Sequence, residues 1–284
     1  MDSNYVLAFS CPRGQSVVQK VSSEIASLGG EILDAQQYDD PAAYRFFSRM
    51  KISVSESAAD RLRERFRPLM EQLKAEWVLR SFSQRKRLLV MASQHGHCLS
   101  DIIFRQRTGD LKVDIVGVVS NHPMSVHDSI DFGEIPYFHL PISAETKREQ
   151  EKKLLGLVKE LSVDLVVLAR YMQVLSDELA SELAGRCINI HHSFLPGFKG
   201  ARPYHQAYER GVKLIGATAH YVTGDLDEGP IIAQSVEPTH HRDTPRSLAR
   251  KGRDVERRVL ATAVHHAADD RVFMNGRTTV VFPE

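Results

Sequence analysis

The sequence predicts an α/β protein of two domains: an N-terminal ferredoxin-like βαββαβ unit followed by a mostly parallel, doubly wound sheet. In the first part of the chain, short strand-like and helix-like segments alternate in the order βαββαβ, the split βαβ arrangement. From Leu88 onward, short runs rich in β-branched residues alternate with helical segments, which is typical of a parallel sheet covered on both faces. We therefore predict a first domain at 1–82, a polar linker at 83–87 and a second domain at 88–284.

Apolar periodicity locates the elements of the first domain. Apolar residues three and four apart predict helices at 15–28 and 57–73. The first helix is predicted to end at Gly29-Gly30, because glycine readily adopts the left-handed conformation that closes a helix. Short segments rich in apolar and β-branched residues predict the strands. These strands are 4–10, 31–38, 43–54 and 76–82.

In the second domain, continuous apolar runs predict strands that are buried on both faces. These strands are 88–93, 113–121, 137–141, 164–169, 187–191 and 213–222. Helices are predicted between them, one that follows a polar loop from Ser93 and another over 145–161. Near the end of the chain, Thr244 as N-cap and Pro245 at the first helical position predict the start of a long helix. Asn275-Gly276 then predicts a tight hairpin.

Composition excludes several classes of protein. Charged residues form 26% of the 284-residue chain and hydrophobic residues 42%, which is the profile of a globular protein. The formal net charge of +1 gives no field that would favour nucleic acid or an anionic membrane. No run of roughly 18 apolar residues occurs, and the first residues lack the features of a signal peptide. Cys11, Cys98 and Cys187 are too widely spaced for a disulfide framework or a metal motif, so a cytoplasmic location is predicted.

The stretch 187–234 carries the main candidates for catalysis. Asn189 and His191 lie at the end of the strand 187–191 and share a face by the period-two rule. Asp227 follows in the polar loop 224–229. An amide can donate to a developing oxyanion, an imidazole can move a proton, and a carboxylate can orient the imidazole or a water molecule. Together they could cleave or transfer an acyl group without a metal.

Other polar residues admit a structural reading as well as a functional one. His220 lies on the strand 213–222 with Thr218 on the same side, and burial explains this histidine as well as function does. Pro196 and Gly200 predict a turn after the strand that carries His191. Several further histidines show no metal-ligand spacing, so no metal is expected. These histidines are His192, His205, His240 and His241.

The motif NIHHSFLPGFKGARPYHQAYERGVKLIGATAHYVTGDLDEGPIIAQ resembles the signature of the folate-dependent formyltransferases and hydrolases, and it is most similar to that of the formyltetrahydrofolate deformylases. The resemblance covers nearly the whole chain. It implies an ACT-like regulatory domain at the N-terminus and a formyltransferase-type, Rossmann-like catalytic domain after it. It also implies hydrolysis of 10-formyltetrahydrofolate to formate and tetrahydrofolate, with formate supplied to purine biosynthesis and one-carbon pools kept in balance.

Carried over to this sequence, the family pattern implies that Asn189, His191 and Asp227 are the catalytic residues. The accessory residues would be His220, Thr218 and His192. A segment similar to the pteridine-binding loop of the family implies that backbone atoms hold the folate head group. The implied folate-binding residues are Met172, Gln173, Val174, Leu175, Gly224 and Asp225. No metal or other cofactor is implied.

Two related activities are disfavoured by departures from their patterns. Glycinamide ribonucleotide formyltransferases usually have proline after the catalytic histidine, where this chain has His192. They also have a small-residue phosphate loop, which 94–98 replaces here. Methionyl-tRNA formyltransferases need a further C-terminal RNA-binding domain, and this chain stops just after its last hairpin. We hypothesise that His192 and the loop 94–98 occupy the space of an acceptor amine.

The resemblance also implies partners. An ACT-like domain suggests a small amino-acid effector, although its first loop reads CPRGQS where the deformylases usually read like CPDRPG. A homo-oligomer is expected, because a small sheet domain usually covers an edge or a face with a copy of itself. Neither nucleic acid nor a membrane is expected as a partner. The alternatives are a formyltransferase acting on a nucleotide amine or an amino sugar, and a non-enzymatic amino-acid sensor.

In the mechanism we predict, the formyl carbon lies between Asn189 and His191. A water molecule is held by His191 and Asp227. The oxyanion of the tetrahedral intermediate is met by the Asn189 amide. The proton that N10 needs as it leaves comes either from His191 or through water, and the sequence leaves both routes open.

Overall fold

The computed structural model describes residues 2–59, 61–195, 197 and 203–284. Pro196 and Gly200, on which the predicted turn after the strand 187–191 depends, lie outside the described residues. Among the helices of the described ranges, none has both the length and the apolar character needed to cross a bilayer.

The first part of the chain forms the predicted βαββαβ unit, with one short additional helix. Its elements are β1 (Asp2–Pro12), α1 (Val17–Ser27), β2 (Glu31–Asp40), β3 (Arg45–Ser55), α2 (Glu56–Ala59), α3 (Leu62–Gln72) and β4 (Glu76–Ser81). The four strands form an antiparallel sheet in the order β2-β3-β1-β4, which fits a ferredoxin-like fold. Gly29 has a φ of 68°, and the N–H of Gly30 donates to the carbonyl of Ile25. These features confirm the predicted glycine cap of α1.

The end of the chain contributes to this first compact unit. The unit runs to Arg85 and also takes in Asp269–Asn275 and Val280–Glu284, which the sequence analysis assigned to the second domain. Arg49 on β3 explains part of this packing. Its side chain is 2% exposed, and its guanidinium donates to the carbonyl oxygen and to Oδ2 of Asp269, both at 2.9 Å. Hydrophobic periodicity cannot show this, because it does not tell on which sheet a terminal hairpin packs.

Replacement of Arg49 by alanine is expected to lower the free energy of unfolding of this unit by about 2 kcal/mol, because two hydrogen bonds of a buried guanidinium are lost while Asp269 keeps Arg271 as a partner. The chain has one tryptophan, Trp77 on β4, so its fluorescence during urea unfolding reports on this unit. Arg13→Ala is the matched control. It removes an ion pair with Asp39 in which both side chains are about half exposed, and it should cost less than about 1 kcal/mol. Equal costs for the two variants would contradict the role given to Arg49.

The second compact unit contains Lys86–Ala268 and Gly276–Thr279. Its elements are β5 (Lys86–Ala92), α4 (His97–Thr108), β6 (Val113–Ser120), β7 (Tyr137–His139), α5 (Lys147–Glu160), β8 (Leu165–Leu168), α6 (Asp177–Glu182), β9 (Cys187–His191), α7 (Pro203–Glu209), β10 (Leu214–Tyr221), β11 (Ile231–Pro238) and α8 (Pro245–Ala268). After it, β12 (Val272–Asn275) and β13 (Thr278–Val281) form the predicted hairpin at the end of the chain.

The large sheet is mostly parallel, as predicted. Its order is β11-β10-β9-β8-β5-β6-β7. The strands from β9 to β7 pair in parallel, and β10 and β11 continue the sheet in antiparallel fashion. The chain crosses from one side of β5 to the other between β7 and β8. Such a switch of direction opens a crevice at the carboxyl ends of the strands, where ligands bind in this class of sheet.

The structure shows where the two helices with predicted N-terminal signals begin. The predicted start of α8 is confirmed: the Ser247 N–H donates to Thr244 Oγ1 at 3.2 Å, and the Thr244 N–H donates to Ser247 Oγ at 2.9 Å. The other helix, α4, begins at His97, after the predicted polar loop. The Ser93 hydroxyl at the start of that loop donates to Oδ1 of Asn121 and accepts from the N–H of Met172, so it connects two other loops.

Candidate active site

Strands β9 and β10 place polar side chains on one face of the sheet. In their antiparallel pairing, Asn189 lies opposite His220, and His191 lies opposite Thr218. Residues two apart on a strand share a face, and directly opposed residues of paired strands share it too. The register therefore brings together the amide and the two imidazoles that the sequence singled out.

Asp227 reaches the same face from the loop between β10 and β11. Its Oδ1 lies 3.2 Å from Nδ1 of His191 and 3.7 Å from Nε2 of His220. Its φ of 57° is in the left-handed region, which is uncommon for a residue other than glycine and recurs at functional sites. One carboxylate thus contacts both histidines.

Backbone packing sets the position of this loop. A Cβ on Gly229 would lie 1.7 Å from the carbonyl oxygen of Tyr221, so a larger residue would force the two backbones apart. Within the loop, the carbonyl of Asp225 accepts from the Thr223 hydroxyl at 3.0 Å and from the Glu228 N–H at 3.3 Å. The loop therefore has little freedom to change its distance from β10.

Hydrogen bonds indicate which atoms of His220 and Asn189 donate. Nδ1 of His220 lies 2.9 Å from the Tyr221 carbonyl oxygen, which can only accept, so Nδ1 carries the proton. In the neutral ring, Nε2 is then an acceptor, and Nδ2 of Asn189 donates to it at 3.3 Å. This contact orients the amide and leaves the second N–H of Asn189 for another acceptor.

His191 is oriented in a similar way by Asp227. The carboxylate accepts from Nδ1, so Nε2 of the neutral ring carries the lone pair. Nε2 is buried, and among the described residues it has no hydrogen-bond partner. Because buried polar atoms are nearly always hydrogen-bonded, this nitrogen is suited to bind a water molecule or a substrate.

Two opposing effects act on the pKa of Asp227. Burial raises this pKa, but the contacts with His191 and His220 lower it more, so the net pKa lies well below its usual value. The group is therefore a carboxylate throughout the neutral range.

The lowered pKa of Asp227 predicts how stability depends on pH. A depressed folded-state pKa stabilises the protein above the unfolded pKa of about 3.9, and that contribution is lost as the pH falls through the folded-state pKa. We expect the difference in unfolding free energy between the protein and its Asp227→Asn variant to contain this contribution at neutral pH. It should change below about pH 4, which urea unfolding at several pH values measures. A difference that stays constant down to pH 3 would contradict the pKa shift.

A cavity of about 240 Å³ opens beside these groups. Its lining contains Asn189, His191, His220 and Asp227, together with every residue predicted to bind folate. These are Met172, Gln173, Val174, Leu175, Gly224 and Asp225. The sequence analysis missed further lining residues, because loop positions carry no periodic signal that shows their direction. They include Val222, Thr223 and Leu226.

Thr218 lies beside the site but does not line the cavity. Its hydroxyl donates to the carbonyl of Ser193 at 2.9 Å and accepts from the N–H of Leu195 at 3.0 Å. Gln234 on β11 donates to the same hydroxyl at 3.0 Å and to the carbonyl of Leu195 at 3.1 Å. The two side chains hold the segment that follows His191. The role of Gln234 was not anticipated, although it lies directly opposite Thr218 in the register.

The two features expected to replace an acceptor lie in different places. His192 lines the catalytic cavity and stacks on His191, with ring centroids 5.0 Å apart. The loop 94–97 instead lines a neighbouring polar cavity of about 460 Å³. Of the two, only His192 is a direct wall of the catalytic cavity.

One group of side chains in the described part of the chain could hold a metal ion by distance alone. It consists of His97, Cys98 and Glu256, whose ligand atoms lie within 4.8 Å of one another. Its chemistry does not favour a metal. Burial raises the pKa of the Cys98 thiol well above its usual value, and both carboxylate oxygens of Glu256 already accept hydrogen bonds, from His97 and Tyr204.

Comparisons with known proteins identify relatives along nearly the whole chain. The model of the formyl transferase family matches residues 86–264. A formyltetrahydrofolate deformylase from Corynebacterium sp. (strain P-1) is 47% identical over 279 residues, which cover 98% of this chain and 97% of the relative.

Solved structures give relatives with the same descriptions. The crystal structure of a formyltetrahydrofolate deformylase from Burkholderia mallei ATCC 23344 has a TM-score of 0.92 and 46% identity, covering 99% of this chain and 100% of that one. Glycinamide ribonucleotide transformylase 1 from Symbiobacterium toebii has a TM-score of 0.65 and 29% identity, covering 70% of this chain and 95% of that one.

Proposed function

This chain belongs to the formyl transferase family and, over nearly its full length, to its formyltetrahydrofolate deformylase branch; from that premise we infer that it hydrolyses 10-formyltetrahydrofolate to formate and tetrahydrofolate. The observation that carries this inference is the contact of Asp227 with His191 beside an oriented Asn189, all three lining one cavity. That arrangement supplies an oxyanion donor and a general base without a covalent nucleophile.

The geometry supports a definite sequence of proton transfers. The oxygen of a water molecule attacks the formyl carbon while Nε2 of His191 takes one of its protons, and Asp227 stabilises the imidazolium through Nδ1. The negative charge that develops on the formyl oxygen accepts the free N–H of Asn189. Nε2 then returns the proton to N10 as the bond between carbon and N10 breaks, which releases formate and tetrahydrofolate.

One assay separates this function from its nearest rival. Purified protein is incubated with 10-formyltetrahydrofolate alone, and formate and tetrahydrofolate are followed together. A hydrolase releases both in equal amounts. A parallel reaction contains glycinamide ribonucleotide, because a transformylase of that substrate is among the structural relatives. Formyl transfer to the nucleotide at a rate that matches or exceeds hydrolysis would overturn the proposal in favour of a transferase.

We propose that the reaction needs no metal ion. The acid–base groups assigned above account for each proton transfer, and none of them depends on a Lewis acid. Turnover should therefore survive prolonged treatment with a chelator such as EDTA. Metal content measured by mass spectrometry before and after treatment is the control, and a loss of activity that zinc restores would contradict the proposal.

We propose that the first unit is an ACT-like regulatory domain that binds a small amino acid. A cavity of about 510 Å³ lies beside the loop after β1, and Arg13 and Asp39 pair at 2.9 Å on its lining. A guanidinium and a carboxylate match the two charges of an amino-acid zwitterion. Candidate amino acids added to the formate assay test this proposal, with Asp39→Asn as the variant that should lose any response.

We further propose a homo-oligomer in the cytoplasm that supplies formate for purine biosynthesis. Strand β2 lies at an edge of its sheet and exposes Ile32, Leu33 and Tyr38, which favours coverage by a second copy. The three cysteines are unpaired and buried, which suits a reducing compartment. Light scattering coupled to size-exclusion chromatography measures the oligomeric state, and a monomer at micromolar concentration would contradict the proposed homo-oligomer.

A further inference from the structure

A second polar cluster lies beside the catalytic cavity, and the proposed reaction does not use it. At its centre is Glu256 on α8, which is 1% exposed. Oε2 of Glu256 accepts from Nε2 of His97 at 2.7 Å, and Oε1 accepts from the hydroxyl of Tyr204. Nε of Arg170 lies 3.5 Å from Oε2. Four elements far apart in the sequence therefore meet at one carboxylate.

A glycine on helix α8 leaves room for the Tyr204 ring of this cluster. Gly252 lies one turn before Glu256, and a Cβ at that position would lie 2.0 Å from Oη of Tyr204. Burial raises the pKa of Tyr204, so its hydroxyl remains a donor. Burial also raises the pKa of Glu256, but the hydrogen bond from His97 and the charge of Arg170 lower it more, so Glu256 is ionised. Its two oxygens are thus engaged within the protein.

Arg170 connects the cluster to the catalytic cavity. It lines that cavity, begins the loop 170–175 and has a φ of 65°. Its side chain is 11% exposed, and within the described ranges its Nε and Nη1 have no hydrogen-bond partner. A guanidinium keeps its proton at any physiological pH. The cavity is therefore bordered by a guanidinium that is ion-paired with Glu256 and keeps N–H groups without a hydrogen-bond partner among the described residues.

This cation affects water and amine nucleophiles differently. When an amine attacks the formyl carbon, its nitrogen becomes positively charged in the tetrahedral intermediate. When water attacks and gives its proton to His191, the attacking oxygen does not gain positive charge. A guanidinium on the cavity wall disfavours the positive charge of the first intermediate and has no such effect on the attacking oxygen of the second.

We propose that Arg170, which pairs with the buried Glu256, is a specificity-determining residue that reserves this cavity for water and excludes amine acceptors. This inference rests on the proposed hydrolysis of 10-formyltetrahydrofolate. It assigns to the buried cluster the distinction between a deformylase and the transferases that share its fold.

The test measures how the formyl group is partitioned between water and a small neutral amine. Each protein is mixed with 10-formyltetrahydrofolate and hydroxylamine, and N-hydroxyformamide and formate are quantified by mass spectrometry after correction for the reaction without protein. Glu256→Gln retains the cation, and the double variant Arg170→Gln/Glu256→Gln removes both charges of the pair. Arg170→Lys retains the charge on a different side chain.

The double variant is expected to give a ratio of hydroxamate to formate roughly tenfold above that of Glu256→Gln, since the two differ only in the cation. Arg170→Lys should stay close to the unmodified protein. The inference is overturned if the double variant turns over with the ratio of Glu256→Gln, or if Arg170→Lys shifts the ratio as far as the double variant does. If the double variant does not fold, the ratio of hydroxamate to formate is measured for Arg170→Met instead, and the same increase is expected.

The assay also separates this inference from the proposed function. An unmodified protein that releases no formate from 10-formyltetrahydrofolate overturns both. An unmodified protein that releases formate, with variants whose ratio does not change, overturns the role of Arg170 alone.

Discussion

Replacement of His191 by alanine is expected to lower kcat for formate release by about 10²–10⁴, the usual contribution of a positioned general acid and base. Nε2 of His191 is a buried nitrogen without a hydrogen-bond partner among the described residues, and Nδ1 is held by Asp227 at 3.2 Å. This ring therefore combines an accepting nitrogen with a carboxylate that stabilises its protonated form. Steady-state kinetics with formate detection measure the loss.

Binding should separate this effect from damage to the site. His191→Ala should bind tetrahydrofolate with a Kd within a few-fold of the unmodified protein, because the loop 170–175 is untouched. His205→Ala is the matched control, since His205 is an exposed histidine on α7. It should retain normal turnover. A His191→Ala protein that folds, binds folate and keeps a normal kcat would remove His191 from the mechanism.

Asn189→Ala should lower kcat by about 10²–10³, the typical cost of losing one oxyanion donor. One N–H of the Asn189 amide is held by Nε2 of His220 at 3.3 Å, so the other is oriented before the substrate arrives. A donor that is already oriented needs no reorganisation when charge develops on the formyl oxygen. Single-turnover kinetics at saturating substrate give this loss directly.

A second variant at the same position sharpens the result. Asn189→Asp keeps the size of the side chain but replaces the donor by a carboxylate, which would repel a developing oxyanion. We expect it to be at least as inactive as Asn189→Ala. Turnover by Asn189→Asp near that of the unmodified protein would show that the amide does not meet the oxyanion.

Much of the framework of the candidate site could be predicted because short-range rules govern it. The period-two rule placed Asn189 and His191 on one face of a strand, and β9 has that geometry. The same reasoning placed Thr218 and His220 together on β10. The period-two rule does not give the register between two strands, so no sequence signal predicts the contact of His220 with Asn189.

The buried cluster illustrates what local patterns cannot reveal. Arg170, Tyr204 and Glu256 come from different elements. The local sequence around each of them is typical of an ordinary loop or of the exposed face of a helix. Glu256 lies in an Arg-rich part of α8, a composition typical of the exposed face of a helix, yet Glu256 is 1% exposed. Long-range packing determines whether such a residue is buried, because a charged side chain is stable in the interior only where residues from other elements pair with it.

The close approach of Gly229 to Tyr221 limits how this enzyme can be remodelled. Backbone atoms on both sides determine how far the carboxylate stands from its imidazole, so insertions or deletions between 227 and 230 would break their alignment. The segment 172–174 also lines the cavity, is more exposed and carries no acid–base group. Libraries that seek new pterin analogues as substrates can therefore vary its side chains at constant length, while the loop 227–230 keeps its sequence and its length.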